Sequence, residues 1–151
     1  MSKVVWGPPT WDLFHTLSEK VIDGAFASER ENLLAIIKDI CSVLPCPSCR
    51  DHAQMTLKQA KFNNIKTKTD LKQFLFEFHN RVNQRTGAKV APKEILDQYA
   101  SRDLGTVVNT FCKHYTTNYG TFKLMSDSMH RQRIIHKFIG YLHSNGKSYI
   151  K

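Results

Sequence analysis

Glycine and proline are scarce in this chain, seven and five among 151 residues. That scarcity argues against a collagenous or disordered polymer. No apolar run approaches the ~18 residues of a membrane span, and the opening stretch Met1 to Pro8 is too short in apolar length for a secretory signal. A soluble, cytoplasmic protein with no membrane partner is therefore expected. Cysteine is sparse as well. The four, at positions 41, 46, 49 and 112, are too few and too clustered for the disulfide scaffold of a small secreted domain. An alternating β pattern of useful length is missing, as are internal repeats and low-complexity tracts. What the chain does have is 41% hydrophobic residues, enough at this length for one compact domain with its own core and too little for two large ones.

Acidic residues are outnumbered. Twenty-two Lys and Arg against thirteen Asp and Glu give a formal charge of +9, which raises the question of a polyanionic partner. The distribution weakens that idea. Positions 103–151 hold seven basic and two acidic residues, so five of the nine excess charges lie in the last third. Nucleic acid is accordingly not the expected partner.

Helical spacing runs through the chain. After Pro8 and Pro9, Thr10 is placed to cap a helix carrying Trp11, Phe14, His15, Leu17 and Val21 that ends near Asp23-Gly24. Ser28 to Glu31 fits a capping box ahead of Leu33, Leu34, Ile37, Ile40, Cys41 and Leu44, and Pro45 ends that helix. A third helix starts at Cys46 or Pro47 and runs towards Ala60. Phe62 to Lys68 reads as a loop. Thr69 or Asp70 then caps an amphipathic helix through Leu71, Phe74, Leu75, Phe78 and Val82 that stops before Gly87. Pro92 opens a short helix to Tyr99, Leu104 to Cys112 suggests another, Thr116 to Thr121 reads as a loop, and a last helix follows an Asp127 cap. The expected fold is all-α, a bundle over residues 1–102 with a helical extension, residues 103–151, packed on it.

Cys46-Pro47-Ser48-Cys49 is the chemical centre. Two cysteines one helical turn apart can close a disulfide, and the free amides and dipole of a helix mouth stabilise a thiolate, the species that attacks another disulfide or a flavin. Pro47 fixes the first turn and offers no amide hydrogen. Zinc is the competing reading, with Cys46, Cys49 and His52 as three ligands, in a basic helical module that binds nucleic acid. A structural site needs four ligands, and no second pair is present. Cys41, on the apolar side of its helix, and Cys112, after Phe111, read as inert packing. A thioredoxin-like fold would put a strand ahead of the motif, whereas here a helix precedes it. An all-helical protein with such a pair needs an electron acceptor that side chains do not supply. His79, Asn80 and Asn83 interrupt an otherwise apolar helix, with His79 and Asn83 on one face, which favours a pocket over ordinary packing.

Three motifs in order, Trp6-Gly7-Pro8-Pro9-Thr10-Trp11 with His15, Cys46-Pro47-Ser48-Cys49 with His52, and His79-Asn80-Arg81-Val82-Asn83, resemble the ERV/ALR family of FAD-linked sulfhydryl oxidases, most closely the versions encoded by large DNA viruses. The resemblance implies a bundle of about five helices wrapping the flavin, usually dimeric. It implies that Cys49 lies against the flavin as the charge-transfer thiolate attacking C4a, and that Cys46 is the interchange thiol that meets substrate. Electrons then pass from a protein dithiol through Cys46–Cys49 to FAD and on to dioxygen, giving hydrogen peroxide. By the same likeness Gly7, Trp11, His15, His52, His79, Asn80, Val82 and Asn83 fall at cofactor positions, with Lys89, or Arg85 in its place, at the pyrophosphate. No metal is implied.

Two departures from the family pattern stand out. The chain has no second, mobile cysteine pair, so either substrates reach Cys46 directly or a small thioredoxin-like carrier delivers the electrons. Leu44 replaces the aromatic that usually precedes Pro-Cys. An oxidase of this kind suits a virus that assembles disulfide-bonded particle proteins in host cytoplasm, which places it there or in the virion. Residues after Asp103 lie outside the resemblance and read as a packing extension or dimer surface, with a polyanion patch as the alternative.

Overall fold

Six α-helices joined by 3-10 turns account for most of residues 3–117 and 122–151, which the computed structural model describes. Among these residues no β-sheet forms, only an isolated antiparallel bridge between Val21 and Tyr149. The all-α expectation holds. The helices are α1 (Lys3–Lys20), α2 (Phe26–Ser42), α3 (Pro47–Gln59), α4 (Lys68–Thr86), α5 (Leu104–Tyr115) and α6 (Phe122–Asn145).

Several helix starts differ from the sequence expectation, each for a local reason. Thr10 does not cap α1. The helix begins seven residues earlier and runs through Pro8 and Pro9. Thr10 instead turns its hydroxyl back onto the Trp6 carbonyl at 2.7 Å. Ser28 lies inside α2, whose first residue is Phe26. A 3-10 turn at Asp23–Ala25 leads directly into this helix. Phe26 is buried in the core, so packing rather than a capping side chain sets the start. Thr67, not Thr69 or Asp70, caps α4, and Asp70 closes a reciprocal capping box with it. Phe62–Asn64 makes a 3-10 turn within the expected loop. The Pro92 segment is a 3-10 helix, Lys93–Ser101. Asp127 is interior to α6, where its carboxylate is drawn to Arg50 on α3. Of the expected loop at Thr116 to Thr121, positions 118–121 lie outside the described residues.

α2 ends at Ser42, short of the Leu44 expected in it and three residues ahead of Pro45. Gly87 stops α4 in the left-handed region at φ 77°, a conformation that favours glycine.

α1 packs on α4, α5 and the 3-10 helix, while α2 packs on α3 and α6. One hydrophobic cluster collects Leu13, Leu17, Leu33, Ile37, Leu75 and Phe111 from four helices. Val107, Phe111, Tyr115 and Phe138 belong to that same cluster, so the apolar core is continuous across residue 103. The end of the chain ties back to α1 through the Ile150 amide on the Lys20 carbonyl at 2.8 Å and the Ile22 amide on the Ser148 carbonyl at 2.8 Å.

Candidate active site

The Cys46–Cys49 disulfide is built into the mouth of α3. Cys46 is the cap residue in extended conformation, and Pro47 opens the helix with φ already suited to it. The Cα atoms of the pair are 5.2 Å apart and the two sulfurs are bonded. The Cys49 amide points at Cys46 Sγ at 3.3 Å. Ser48 Oγ lies 3.4 Å from the same sulfur. Together with the dipole of α3, these groups favour negative charge on Cys46. Arg85 reaches across from α4 and donates to the Ser48 carbonyl at 3.3 Å.

Behind the disulfide lies a cavity of about 410 Å³ between α1, α3, α4 and the 3-10 helix, a size typical of cofactor and ligand sites. Cys49 lines it, while Cys46 does not. Aromatic rings form its walls. Trp11 stacks on His79, with ring centroids 4.2 Å apart and planes 7° from parallel. Phe78 meets the Trp11 ring edge-on at 5.0 Å. His15 sits behind His79, with its Nε2 3.0 Å from His79 Nδ1. Tyr99 stacks on His15 at 4.9 Å.

This packing keeps both imidazoles neutral at pH 7. Burial, and then the neighbouring His79, bring His15 down to about 3. Burial brings His79 down to about 4. Nδ1 of His15 is buried without a partner, and an unpaired buried N–H is the costlier defect. The shared hydrogen is therefore on His15 Nε2, which donates to His79 Nδ1, and His79 keeps its own hydrogen on Nε2. Trp6 Nε1, by contrast, is a buried donor without a partner, on a residue that lines the cavity. His52 is lowered by partial burial first and then by the cations Arg85 and Arg81.

Gly7, Trp11, Cys49, His52, His79, Val82, Asn83 and Arg85 all line this one space. Three of the expected cofactor residues do not. His15 acts one layer back, through His79. Asn80 is used by the chain itself: its Nδ2 donates to the Ala91 carbonyl at 3.0 Å and its Oδ1 accepts from the Ala91 amide at 2.9 Å, pinning the segment after Gly87 to α4. Asn83 donates to Asn80 Oδ1 at 3.2 Å, which orients it at the cavity edge. Lys89 is exposed and outside the lining.

The lining also includes residues outside the expected cofactor set, among them Trp6, Asp12, Phe78 and Tyr99. Phe78 faces core and cavity at once, so periodicity alone reads it as core, and Trp6 lies ahead of the expected helix start. Tyr99 arrives from a separate 3-10 helix, and no local signal marks it. Cys41 and Cys112 are free thiols. Cys41 is buried at the cavity wall, and burial pushes its thiol up to about 12. Among the described residues no three His, Cys, Asp or Glu side chains converge as metal ligands. No helix among them is long and apolar enough to cross a membrane.

Comparison with known proteins agrees with this geometry. Relatives include an FAD-linked sulfhydryl oxidase of African swine fever virus, 31% identical over 87 residues, a stretch covering 56% of this chain and 71% of the relative. A candidate FAD-linked sulfhydryl oxidase of Invertebrate iridescent virus 6 is 27% identical over 97 residues, 60% of this chain and 87% of the relative. A further candidate enzyme of that description, from variola virus, is 34% identical over 74 residues, 48% of this chain and 70% of the relative. No solved structure gave a significant match. Residues 8–101, more than half of the chain, match the profile of the Erv1/Alr family, and the chain belongs to that family.

Proposed function

We propose that this protein is an FAD-linked sulfhydryl oxidase that forms disulfides in protein substrates. One observation carries the reading: of the two sulfurs in a helix-mouth disulfide, Cys49 borders a cavity walled by stacked Trp11 and His79, while Cys46 stays outside it.

The cavity suits FAD. Its aromatic lining offers ring surfaces to a planar ring system, and Trp6 Nε1 is a buried donor with no partner in the protein. Gly7 lies on the lining, and a Cβ built there would meet nothing within 4 Å, so the missing side chain leaves open space. Trp6, Trp11, His79 and Asn83 would hold the cofactor, with Arg85 at its charged end. Bound FAD supplies the two-electron acceptor that reoxidises the cysteine pair and passes the electrons to dioxygen as hydrogen peroxide.

The chain's own residues perform the thiol chemistry. A substrate thiolate bonds to Cys46 Sγ as the Cys46–Cys49 bond breaks, and Cys49 leaves as a thiolate facing the cavity. A second substrate thiolate then attacks the mixed disulfide and frees Cys46. The Cys49 amide, 3.3 Å from Cys46 Sγ, stabilises that leaving thiolate. The substrate is thereby oxidised by two electrons, and its two thiol protons are released. His79, neutral and donating from Nε2, is a fixed hydrogen-bond donor at the cavity wall.

Protein dithiols, or a thioredoxin-like carrier, are the electron donors in this reading. Residues 1–102 are the flavin-holding unit and 103–151 an extension packed on it, a division supported by the family match ending at residue 101. The viral relatives support action in host cytoplasm or the virion, and the active protein is a homodimer. The test is a visible spectrum and an oxygen electrode. Purified protein should be yellow, absorbing near ~450 nm, and should consume oxygen with dithiothreitol. Cys49→Ser should keep the colour but lose bleaching by dithiol, and Cys46→Ser should lose turnover of protein dithiols. A colourless protein that takes up no flavin refutes the proposal.

A further inference from the structure

The peptide ahead of the disulfide is held from outside the family-matched region. α2 ends at Ser42, and a helix end leaves carbonyls in need of partners. The carbonyls at positions 40, 43 and 44, in the last turn of α2 and the peptide that follows it, receive side chains. The Tyr115 hydroxyl on α5 donates to the Ile40 carbonyl at 2.9 Å. Arg131 on α6, buried against Tyr115, donates from Nη1 to the Val43 carbonyl at 3.4 Å. Arg50 on α3 donates from Nη2 to the Leu44 carbonyl at 3.1 Å. The same Nη2 lies 3.2 Å from Asp127 Oδ2 on α6, with both side chains mostly buried. Arg50 Nε is buried without a partner, so these contacts run through one nitrogen. Tyr115, Asp127 and Arg131 all follow residue 101, where the family match stops.

The bond from Arg50 to Leu44 has a specific consequence. It closes a loop whose interior is residues 45–49, containing both sulfurs, with Pro45 stiffening one arm. A closed loop keeps the two thiols near each other when reduced, which raises their effective concentration and favours the disulfide. Asp127 keeps Arg50 in the orientation that closes it.

We propose that Asp127, acting through Arg50, is a positioning residue for the Cys46–Cys49 pair, so that α6 sets how readily this disulfide is reduced. The proposal takes its redox role from the oxidase reading above, but its measurement does not need the flavin. In glutathione buffers the balance is exact: two glutathione thiols and the protein disulfide exchange for two protein thiols and one glutathione disulfide, with two electrons moving to the protein.

The experiment equilibrates the full purified chain anaerobically with graded ratios of reduced to oxidised glutathione. Acid quenching, alkylation and mass counting of labelled Cys46 and Cys49 then give the equilibrium constant. Asp127→Asn, which changes shape little, and Arg50→Gln should each make the disulfide about tenfold easier to reduce, the scale of one hydrogen bond to a charged group. That shift corresponds to about 30 mV. The double variant should show no more than either single, because the two residues act in series. Arg50→Lys, which keeps the charge but whose ammonium ends one atom short of the Nη2 position, should behave like Arg50→Gln. A simple charge effect would instead drive Asp127→Asn and Arg50→Gln in opposite directions.

Opposite signs, single effects within twofold of the parent, fully multiplying effects, or a parental constant in Arg50→Lys would each overturn the proposal. A colourless protein would defeat the oxidase reading and leave this constant measurable. A flat constant in a yellow, oxygen-consuming protein would defeat only the role of Asp127.

Discussion

Lowering the pH should destabilise this protein well before its carboxylates begin to protonate, because two imidazoles, one buried and one partly buried, cannot take up protons without leaving their packing. His15 is held down to about 3 by burial and then by His79, and His79 to about 4 by burial. In the unfolded chain both titrate near the ordinary value of about 6.5. Between these limits the unfolded state binds more protons than the folded one, so stability rises with pH. The contribution is fully present above pH 6.5 and is lost as pH falls towards 4. At pH 5.5 each unfolded imidazole is about nine-tenths protonated and each folded one is neutral, which removes ~1.4 kcal/mol per residue. Partial exposure of His79 trims its share, leaving a combined drop of about 2–3 kcal/mol between pH 7.5 and 5.5. Urea unfolding at constant ionic strength at those two pH values measures it. His52, whose imidazole is also lowered, adds in the same direction in every variant and cancels on comparison. Replacing His15 or His79 by Gln should remove about half of the pH-dependent drop, whatever it does to stability at pH 7.5. A parental drop under 1 kcal/mol, or a full drop in both Gln variants, refutes the assignment of neutral, proton-resisting rings.

Two further outcomes test the support around the site. Asn80→Ala deletes two bonds to Ala91 and one to Asn83. At ~1 kcal/mol net each the loss is about 2–3 kcal/mol, or roughly 5–10 °C in Tm for a domain of this size. A fall of under 2 °C in a thermal melt would show that the segment after Gly87 is held by something else. Iodoacetamide at pH 8 should label Cys46 in the reduced native protein and spare Cys41 and Cys112, whose thiols burial raises to about 12 and about 11. Their thiolate fractions are then roughly one in ten thousand and one in a thousand. All four thiols should react in urea, and a Cys41 that reacts natively as fast as Cys46 contradicts the buried wall described here.

The helix mouth at Cys46 was legible in the sequence because its determinants are adjacent: a proline at the first helical position and a cysteine one turn on. Gly87 was legible for the same reason. Capping signals failed where packing overrode them. Ser28 carries a good cap side chain, yet Phe26 is drawn into the core and starts the helix before it. Thr10 is overridden in the same way by Trp6, which is buried on a turn that a cap at Thr10 would have excluded. Polar residues inside an apolar helix pointed correctly to a special region, but spacing does not divide their labour. His79 and Asn83 face the cavity, whereas Asn80 is spent on Ala91, eleven residues away. Periodicity records the face a residue occupies and carries no information about a pairing across a turn.

A similar separation explains why Asp127 read as a cap. On its own helix an aspartate ahead of an apolar stripe is an ordinary N-terminal signal. In three dimensions its partner is Arg50, the residue after the second cysteine. The contact depends on α6 lying over the end of α2, which follows from Phe138 and Ile134 entering the same cluster as Ile37 and Ile40. Hydrophobic positions that the sequence displays openly thus decide where a charge lands that the sequence leaves ambiguous. The core shared across residue 103 is what allows a segment beyond the family match to reach the peptide ahead of the Cys46–Cys49 disulfide. Shaving a core contact such as Phe138→Ala should therefore loosen the hold on Leu44 as well as lower stability, because the carboxylate and the carbonyl it controls are registered by the same packing.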